Sequence, residues 1–277
     1  MSLKFLELGD LLERGYFPNE LPPPFTTAIF ADSVGNSWAR YCDKFKKRCV
    51  TKPVNHSIPR VGSLRRKLSI PNPIAFFQLS KEIAESKDEI DSLLYPDSYS
   101  VTTPHVNDGE GRAVVPSKWF NDLPRMRAKQ RSNARFLVKA DVSKFYHSIY
   151  THSIPWAIHG KAFAKTHRGC DYLGNRLDTY LRNGQDAQTV GIPIGPDTSL
   201  IIAEIILSQV DKEVVSANNL SGFRFVDDYE ISCKSMAEVE TVISVLETAL
   251  SRYELQLNPA KLKIIELPDD LDSQWAT

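Results

Sequence analysis

The sequence shows no excess of charge of either sign: 34 Lys and Arg stand against 34 Asp and Glu in 277 residues. A nucleic-acid binder usually carries a basic surplus, so the total alone speaks against one. Cysteine is scarce. Cys42, Cys49, Cys170 and Cys233 match no zinc or redox spacing and follow no secretory signal. This argues against a disulfide scaffold and leaves reduced thiols in a cytoplasmic protein. Long apolar runs are missing too. The longest, around Leu200 to Leu207, is broken by Glu204 and is too short to span a bilayer, so no membrane partner is expected. The first ten residues place Glu7 and Asp10 where a signal peptide would be apolar. There is no internal repeat. With 42% hydrophobic and 25% charged residues, the chain has ordinary globular composition, and its length suits two domains or lobes.

Residues 3–15 have the pattern of a short amphipathic helix, followed by Leu21-Pro-Pro-Pro-Phe25, where proline prevents regular structure. Residues 40–67 hold ten basic residues against Asp43 alone. Residues 74–94 read as a helix, and 95–117 as loop with short extended pieces. A second basic run, residues 112–139, sets eight cations against Asp122.

Beyond it the periodicity sharpens. Phe136–Asp141 reads as a strand, 143–150 as a turn of helix and 153–183 as two helices. A glycine-bearing loop, 188–195, leads to Asp197, read as the cap of a helix to about Ala217. Its buried side is assigned Leu200, Ile201, Ile205, Val210 and Val214. Gly222–Val226 and Tyr229–Cys233 read as strands around an Asp227-Asp228 turn. Ser235 opens a helix to about Tyr253, and Lys261–Leu267 closes as a strand. This β-α-β-β-α-β order predicts an α+β fold of split βαβ, ferredoxin-like type, an antiparallel sheet with helices on one face.

In that topology the first strand lies beside the central hairpin, so Asp141, Asp227 and Asp228 converge at one sheet edge. Aspartates in a turn are ordinarily just solvated. Three converging carboxylates instead repel and call for a cation. Hard oxygen donors suit Mg²⁺ or Mn²⁺. Two such ions could activate a hydroxyl and stabilise a leaving phosphate oxygen.

Five motifs in order give the pattern a family. Arg66-Lys-Leu68, Asp141-Val-Ser-Lys-Phe-Tyr146, Gly191-Ile-Pro-Ile-Gly195, Phe225-Val-Asp-Asp228 and Leu257-Asn-Pro-Ala-Lys261 resemble the fingers and palm motifs of the reverse transcriptases. A narrower likeness rests on Arg14-Gly-Tyr-Phe-Pro-Asn-Glu-Leu-Pro-Pro-Pro-Phe25, Tyr150-Thr-His-Ser-Ile-Pro-Trp156 and Gly195-Pro-Asp-Thr-Ser199. These segments resemble the bacterial abortive-infection, defence-associated group. Some of its members make DNA without a template, and some prime on a protein side chain.

The resemblance implies a right-hand polymerase with an N-terminal leader (1–39), basic fingers (40–135) and a palm (136–277). It implies a metal-dependent DNA polymerase that adds dNTPs to a 3′-hydroxyl. Asp141, Asp227 and Asp228 would hold two Mg²⁺ ions, with Mn²⁺ as an alternative and the Val142 carbonyl as an extra ligand. Lys261 would donate a proton to pyrophosphate, with Lys263 as rival. Arg66 would grip the triphosphate, with Arg60, Arg65 and Lys67 as weaker candidates and a solvated basic face as the bland alternative. Tyr146 would lie under the sugar and exclude a 2′-hydroxyl, leaving Phe145 to the core. Gly191, Pro193 and Gly195 would form the loop against the nucleotide. Implied partners are dNTPs and an RNA or DNA template, primer or product strand. A homo-oligomer is left open.

Departures qualify this. Ile194 stands where the family often has Gln, and Phe225 where it often has Tyr. Few residues follow Leu267, so the thumb is expected to be missing, supplied by a C-terminal helical domain or a partner. His147, His152 and His159 follow the first palm motif, but a helix-and-loop reading supplies no convergent metal geometry. The competing readings are a nucleic-acid-binding scaffold that is catalytically weak or dead, a palm-domain nucleotidyltransferase making RNA or a cyclic nucleotide, and an intron- or retron-type RNA-templated enzyme. The neutral total then reads as a basic fingers region offset by an acidic palm. Residues 201–277 carry six cations and fourteen acids.

Overall fold

The computed structural model describes residues 2–21, 26–34, 49–60, 64–94, 98–218 and 221–271. Much of the first basic run and the Pro22-Pro-Pro24 stretch lie outside these residues.

The described elements, in chain order, begin with α1 (Leu8–Arg14), β1 (Val54–Pro59), β2 (Arg65–Ile70), α2 (Pro73–Glu85) and α3 (Lys87–Leu93). Next come β3 (Pro104–Val106), β4 (Val114–Pro116), α4 (Leu123–Arg131) and β5 (Phe136–Asp141). Then follow α5 (Phe145–Ser148), α6 (Ser153–His159), α7 (Lys161–Thr166), α8 (Leu173–Asn183) and α9 (Asp197–Asn218). The chain closes with β6 (Gly222–Phe225), β7 (Asp228–Cys233), α10 (Met236–Arg252) and β8 (Lys263–Glu266). They form two compact, interleaved units. The first comprises Met1–Leu93, Pro104–Val115 and Tyr146–Ile205, and the second Leu94–Thr103, Pro116–Phe145 and Ile206–Thr277.

The second unit is built on one four-stranded sheet in the order β6-β7-β5-β8, antiparallel throughout. The central strand β5 buries Leu137, Val138 and Ala140, and α10 packs on β5 and β7. Helix α10 starts where Ser235 Oγ accepts from the Glu238 amide, and Glu238 reaches back to the Lys234 amide. Its buried Val239, Val242, Leu246, Ala249 and Leu250 recur at helical spacing. This is the expected split βαβ sheet.

In the first unit, Leu12 and Tyr16 pack with Phe76 and Phe77 of α2. Strands β1 and β2 form an antiparallel hairpin whose side chains are largely exposed.

Three local expectations are corrected. The stretch 153–183 holds three helices because Gly160, at φ +84°, ends α6 and separates it from α7. Leu200 is half-buried, whereas Ile201, Ile205, Val210 and Val214 are fully buried. Asp197 is the first residue of α9 rather than its cap. Its carboxylate accepts instead from the Arg112 guanidinium and the Val114 amide. Buried, it is pushed up to about 6 by desolvation, against the pull of Arg112.

Candidate active site

Strand pairing alone places the first two carboxylates. Asp141 ends β5 directly opposite Asp228, the first residue of β7. Asp227 occupies the intervening turn, and its carbonyl accepts from the Val142 amide at 3.3 Å. The segment after α10 adds the fourth group. The Asn258 amide donates to the Asp141 carbonyl at 2.8 Å, and Asn258 Nδ2 donates to Asp141 Oδ1 at 3.0 Å. Lys261 Nζ then lies 2.5 Å from Asp141 Oδ2. Asp141, Asp227, Asp228 and Lys261 are thus gathered in the second unit, whereas the rival Lys263 sits within β8.

The electrostatics follow from this crowding. Desolvation raises Asp227, and the Asp141 charge adds to it. Asp228 is exposed as a residue, but its carboxyl sits in the crowded corner. Desolvation and the charges of Asp227 and Asp141 push it up to about 6. Lys261 is raised by its hydrogen bond to Asp141 and stays an ammonium. The cluster therefore has the hard oxygen donors and unbalanced negative charge that suit a divalent cation. Among the described residues, however, no three His, Cys, Asp or Glu side chains form a ready-made metal shell. Both Asp141 oxygens accept hydrogen bonds, from Asn258 and Lys261.

The turn that carries Asp227 is held by a buried network that sequence reasoning missed. Val226 adopts φ +55°, a costly left-handed conformation for a β-branched residue. Its amide donates to Thr102 Oγ1 at 3.0 Å, and its carbonyl accepts from Arg224 Nη1 at 2.6 Å. Arg224 is fully buried and forks onto Asp211 of α9, with Nη2 to Oδ2 at 2.7 Å. Tyr229 Oη donates to Asp211 Oδ1 at 2.8 Å. The available signal was a charged residue inside the otherwise apolar strand Gly222-Phe-Arg-Phe-Val, which demands a buried partner. Phe225 packs against Phe120 with the rings tilted and their centroids 4.2 Å apart.

The nucleotide-binding candidates fall in the first unit. Tyr146 is half-buried, and its carbonyl accepts from Ile192 at 2.8 Å; Phe145, the neighbour assigned to the core, is buried. The Ile194 carbonyl accepts from Ser69 of β2 at 2.9 Å, which ties the glycine loop to the strand bearing Arg66 and Lys67. Pro193 is buried. Arg60, Arg65, Arg66 and Lys67 are all exposed, and Arg66 lies 3.6 Å from Glu20. Both loop glycines are required by their own chain. Gly191 has φ +87° and lies close to the His147 carbonyl. Gly195 has φ +132°, and a Cβ there would meet Pro18 at 2.4 Å.

The second basic run is partly engaged in ion pairs. Arg127 forks onto Glu230, which also accepts from Arg131 Nη2, Arg135 pairs with Glu266 and Lys139 with Asp269. In the first unit, Arg112 pairs with Asp197. Five of the eight cations of this run are thus paired, Arg135 with Glu266 at the exposed surface, while Lys118, Arg125 and Lys129 are exposed, so direct pairing accounts for only part of the charge balance.

Comparison with known proteins agrees with the geometry. No curated protein sequence matches the chain. Solved structures share its fold at low identity. Apo telomerase from Candida tropicalis aligns at TM-score 0.51 and 14% identity, over 87% of this chain and 49% of the other. A form of it truncated from the C-terminal domain aligns at 0.55 and 13%, over 92% and 59%. Telomerase from Candida albicans with a fragment of telomeric RNA aligns at 0.54 and 13%, over 88% and 47%. The chain spans roughly half the length of these telomerases. Residues 80–272 match the sequence profile described as "Reverse transcriptase (RNA-dependent DNA polymerase)". That match covers most of the chain, including the β5–β8 sheet and its carboxylates, and the chain belongs to the reverse transcriptase family.

Proposed function

We propose that this chain is the catalytic part of a DNA polymerase that adds dNTPs to a 3′-hydroxyl by metal-dependent phosphoryl transfer. The observation that carries it is the pairing of Asp141 with Asp228 across β5 and β7, with Asp227 in the turn between β6 and β7. Asp141, Asp227 and Asp228, with the Val142 carbonyl, would hold Mg²⁺ or Mn²⁺. Bound there, two divalent ions would lower the pKa of the attacking hydroxyl and neutralise charge on the triphosphate. The protein's own part is positioning. Arg224 and Thr102 fix the turn, and Asn258 orients Asp141. Lys261 carries a proton within reach of the carboxylates and would deliver it to the departing pyrophosphate. Arg66 would fork onto the triphosphate, helped by Arg60 and Lys67. Tyr146 would exclude a 2′-hydroxyl, and Gly191, Pro193 and Gly195 would shape the nucleotide's floor. The strand partners would be RNA or DNA, with grip on the duplex supplied by a further domain or a partner.

Within the family, the leader, the Tyr150–Trp156 segment and Gly195-Pro-Asp-Thr-Ser199 support assignment to bacterial antiphage defence, with template-free or protein-primed synthesis. One observation favours a second reading, a nucleic-acid scaffold without turnover: both Asp141 oxygens are engaged by side chains. The test is incorporation of each labelled dNTP with Mg²⁺ or Mn²⁺, with and without RNA. RNA-dependent incorporation supports a copying enzyme, and RNA-independent incorporation the defence assignment. Strand binding with no incorporation under any condition would replace both with the scaffold.

A further inference from the structure

The segment Tyr150-Thr-His-Ser-Ile-Pro-Trp156 has no role in the phosphoryl-transfer chemistry, yet it lines a cavity of its own. The cavity has a volume of about 460 Å³ and lies wholly within the first unit, between α6, α7 and α8. That volume falls in the range of small-molecule sites, about 300–1,000 Å³. One wall is aromatic. Tyr150 and Trp156 are half-buried and meet edge to face, with centroids 5.7 Å apart. The other wall is cationic, with Lys165, Arg168 and Arg182 facing a single carboxylate, Asp178.

That carboxylate is already committed. Asp178 is buried, its Oδ2 lies 2.9 Å from His152 Nδ1, and its Oδ1 accepts from Arg182 Nε at 3.1 Å. It fixes the imidazole and one edge of the Arg182 guanidinium. Arg168 spends only Nε, on the Lys165 carbonyl at 3.1 Å. Among the described residues, the terminal nitrogens of Arg168 and Arg182 and the Lys165 ammonium have no protein partner. The cavity thus offers aromatic surface beside uncommitted phosphate donors. A base stacks on the former, and a guanidinium fork matches the latter. The Lys161 ammonium lies 4.0 Å from the centroid of the Trp156 ring, so a base would use Tyr150 and the part of Trp156 that Lys161 leaves open. An inorganic anion would leave these unused, and an apolar ligand would leave the cations unpaired.

We propose that this cavity is a second nucleotide site, separate from the carboxylate cluster, which takes a nucleoside 5′-phosphate. The base packs against Trp156 and Tyr150, and the phosphate sits on Arg168, Lys165 and Arg182. The unit is either a free nucleotide or one residue of a strand, which share this chemistry.

The test is equilibrium binding by calorimetry in EDTA, where metal-dependent nucleotide binding is silent. The probes are dAMP, a 5′-phosphorylated hexadeoxyadenylate and inorganic phosphate. The proposal expects dAMP or the oligonucleotide to bind and phosphate to bind far more weakly. Binding of dAMP marks a free nucleotide, and binding of the oligonucleotide alone marks a strand. Arg168 is exposed, so Arg168→Ala leaves the fold intact while weakening binding about tenfold or more, the loss of a charge-assisted hydrogen bond. Trp156→Leu weakens binding and Trp156→Tyr restores it, a contrast that a general folding defect would not give. Failure of both organic probes to bind overturns the proposal. So does phosphate binding as tightly as dAMP, or affinity unchanged in both Arg168→Ala and Trp156→Leu. Binding is also measured in Asp227→Asn. Nucleotide binding that persists there, together with no dNTP incorporation by the unaltered chain, would sink the polymerase reading alone.

Discussion

Lys261 opposes the upward shift that burial and crowding impose on the carboxylate cluster. Its ammonium lowers both Asp227 and Asp228. Lys261→Met is therefore expected to move their titration upward, read by carboxyl-carbon NMR; unmoved midpoints would contradict the pairing. The linkage has a definite sign. Asp228 is raised from 3.8 to about 6, so its protonation favours the fold below 3.8, and that contribution is lost as pH rises through about 6. A divalent cation must displace that proton. Binding of Mg²⁺ near pH 6 should therefore release protons, whereas at pH 8 it should release none from this group. Calorimetry in two buffers of different ionisation enthalpy reads the difference, and equal release at both pH values would refute it. At this scale the convergence of the aspartates was legible, because the strand order sets Asp141 beside the hairpin turn, where an Asp-Asp pair alone would read as merely solvated. Asn258 was not singled out: its role rests on a side chain folding back onto Asp141, which spacing does not show.

The hairpin of β6 and β7 is held from behind. Arg224 and Asp211 are both fully buried, so removing one leaves an unpaired charge in the interior. Asp211→Ala should cost about 3–5 kcal/mol, measured by urea denaturation, and a change below about 1 kcal/mol would show the network to be dispensable. Gly195→Ala tests the other unit. The substituted residue must hold φ +132° against Pro18, and a destabilisation of about 1–3 kcal/mol is expected. Strands were readable because β5 and β7 alternate or run apolar between polar turns. Helix ends were less so. Gly160 splits 153–183 through its backbone angle, and Asp197 turns from a cap into a buried partner through Arg112, 85 residues away in sequence. Long-range pairing of that kind leaves no local trace.

At the scale of the whole molecule, the zero net charge conceals two kinds of cation. Those of β2 and the adjoining Arg60 are exposed, while Arg127 and Arg131 are held on the buried Glu230 of the second unit. The two kinds should separate experimentally. Arg65→Glu with Lys67→Glu should flatten the salt dependence of single-strand binding by about 0.7 in log–log slope for each phosphate no longer neutralised. Arg131→Ala should lower stability and leave that slope unchanged. Identical slopes in the wild type and the double variant would remove the hairpin from the strand path. The interleaving of the two units was not legible, since composition follows the chain and the units do not.

The central claim is that Asp141, Asp227 and Asp228 perform nucleotide addition. Its most direct test is dNTP incorporation by Asp141→Asn, Asp227→Asn and Asp228→Asn beside the unaltered chain, with melting curves to confirm folding. Each substitution should reduce incorporation by at least about a hundredfold in a folded protein. Wild-type incorporation that survives all three substitutions would contradict the account.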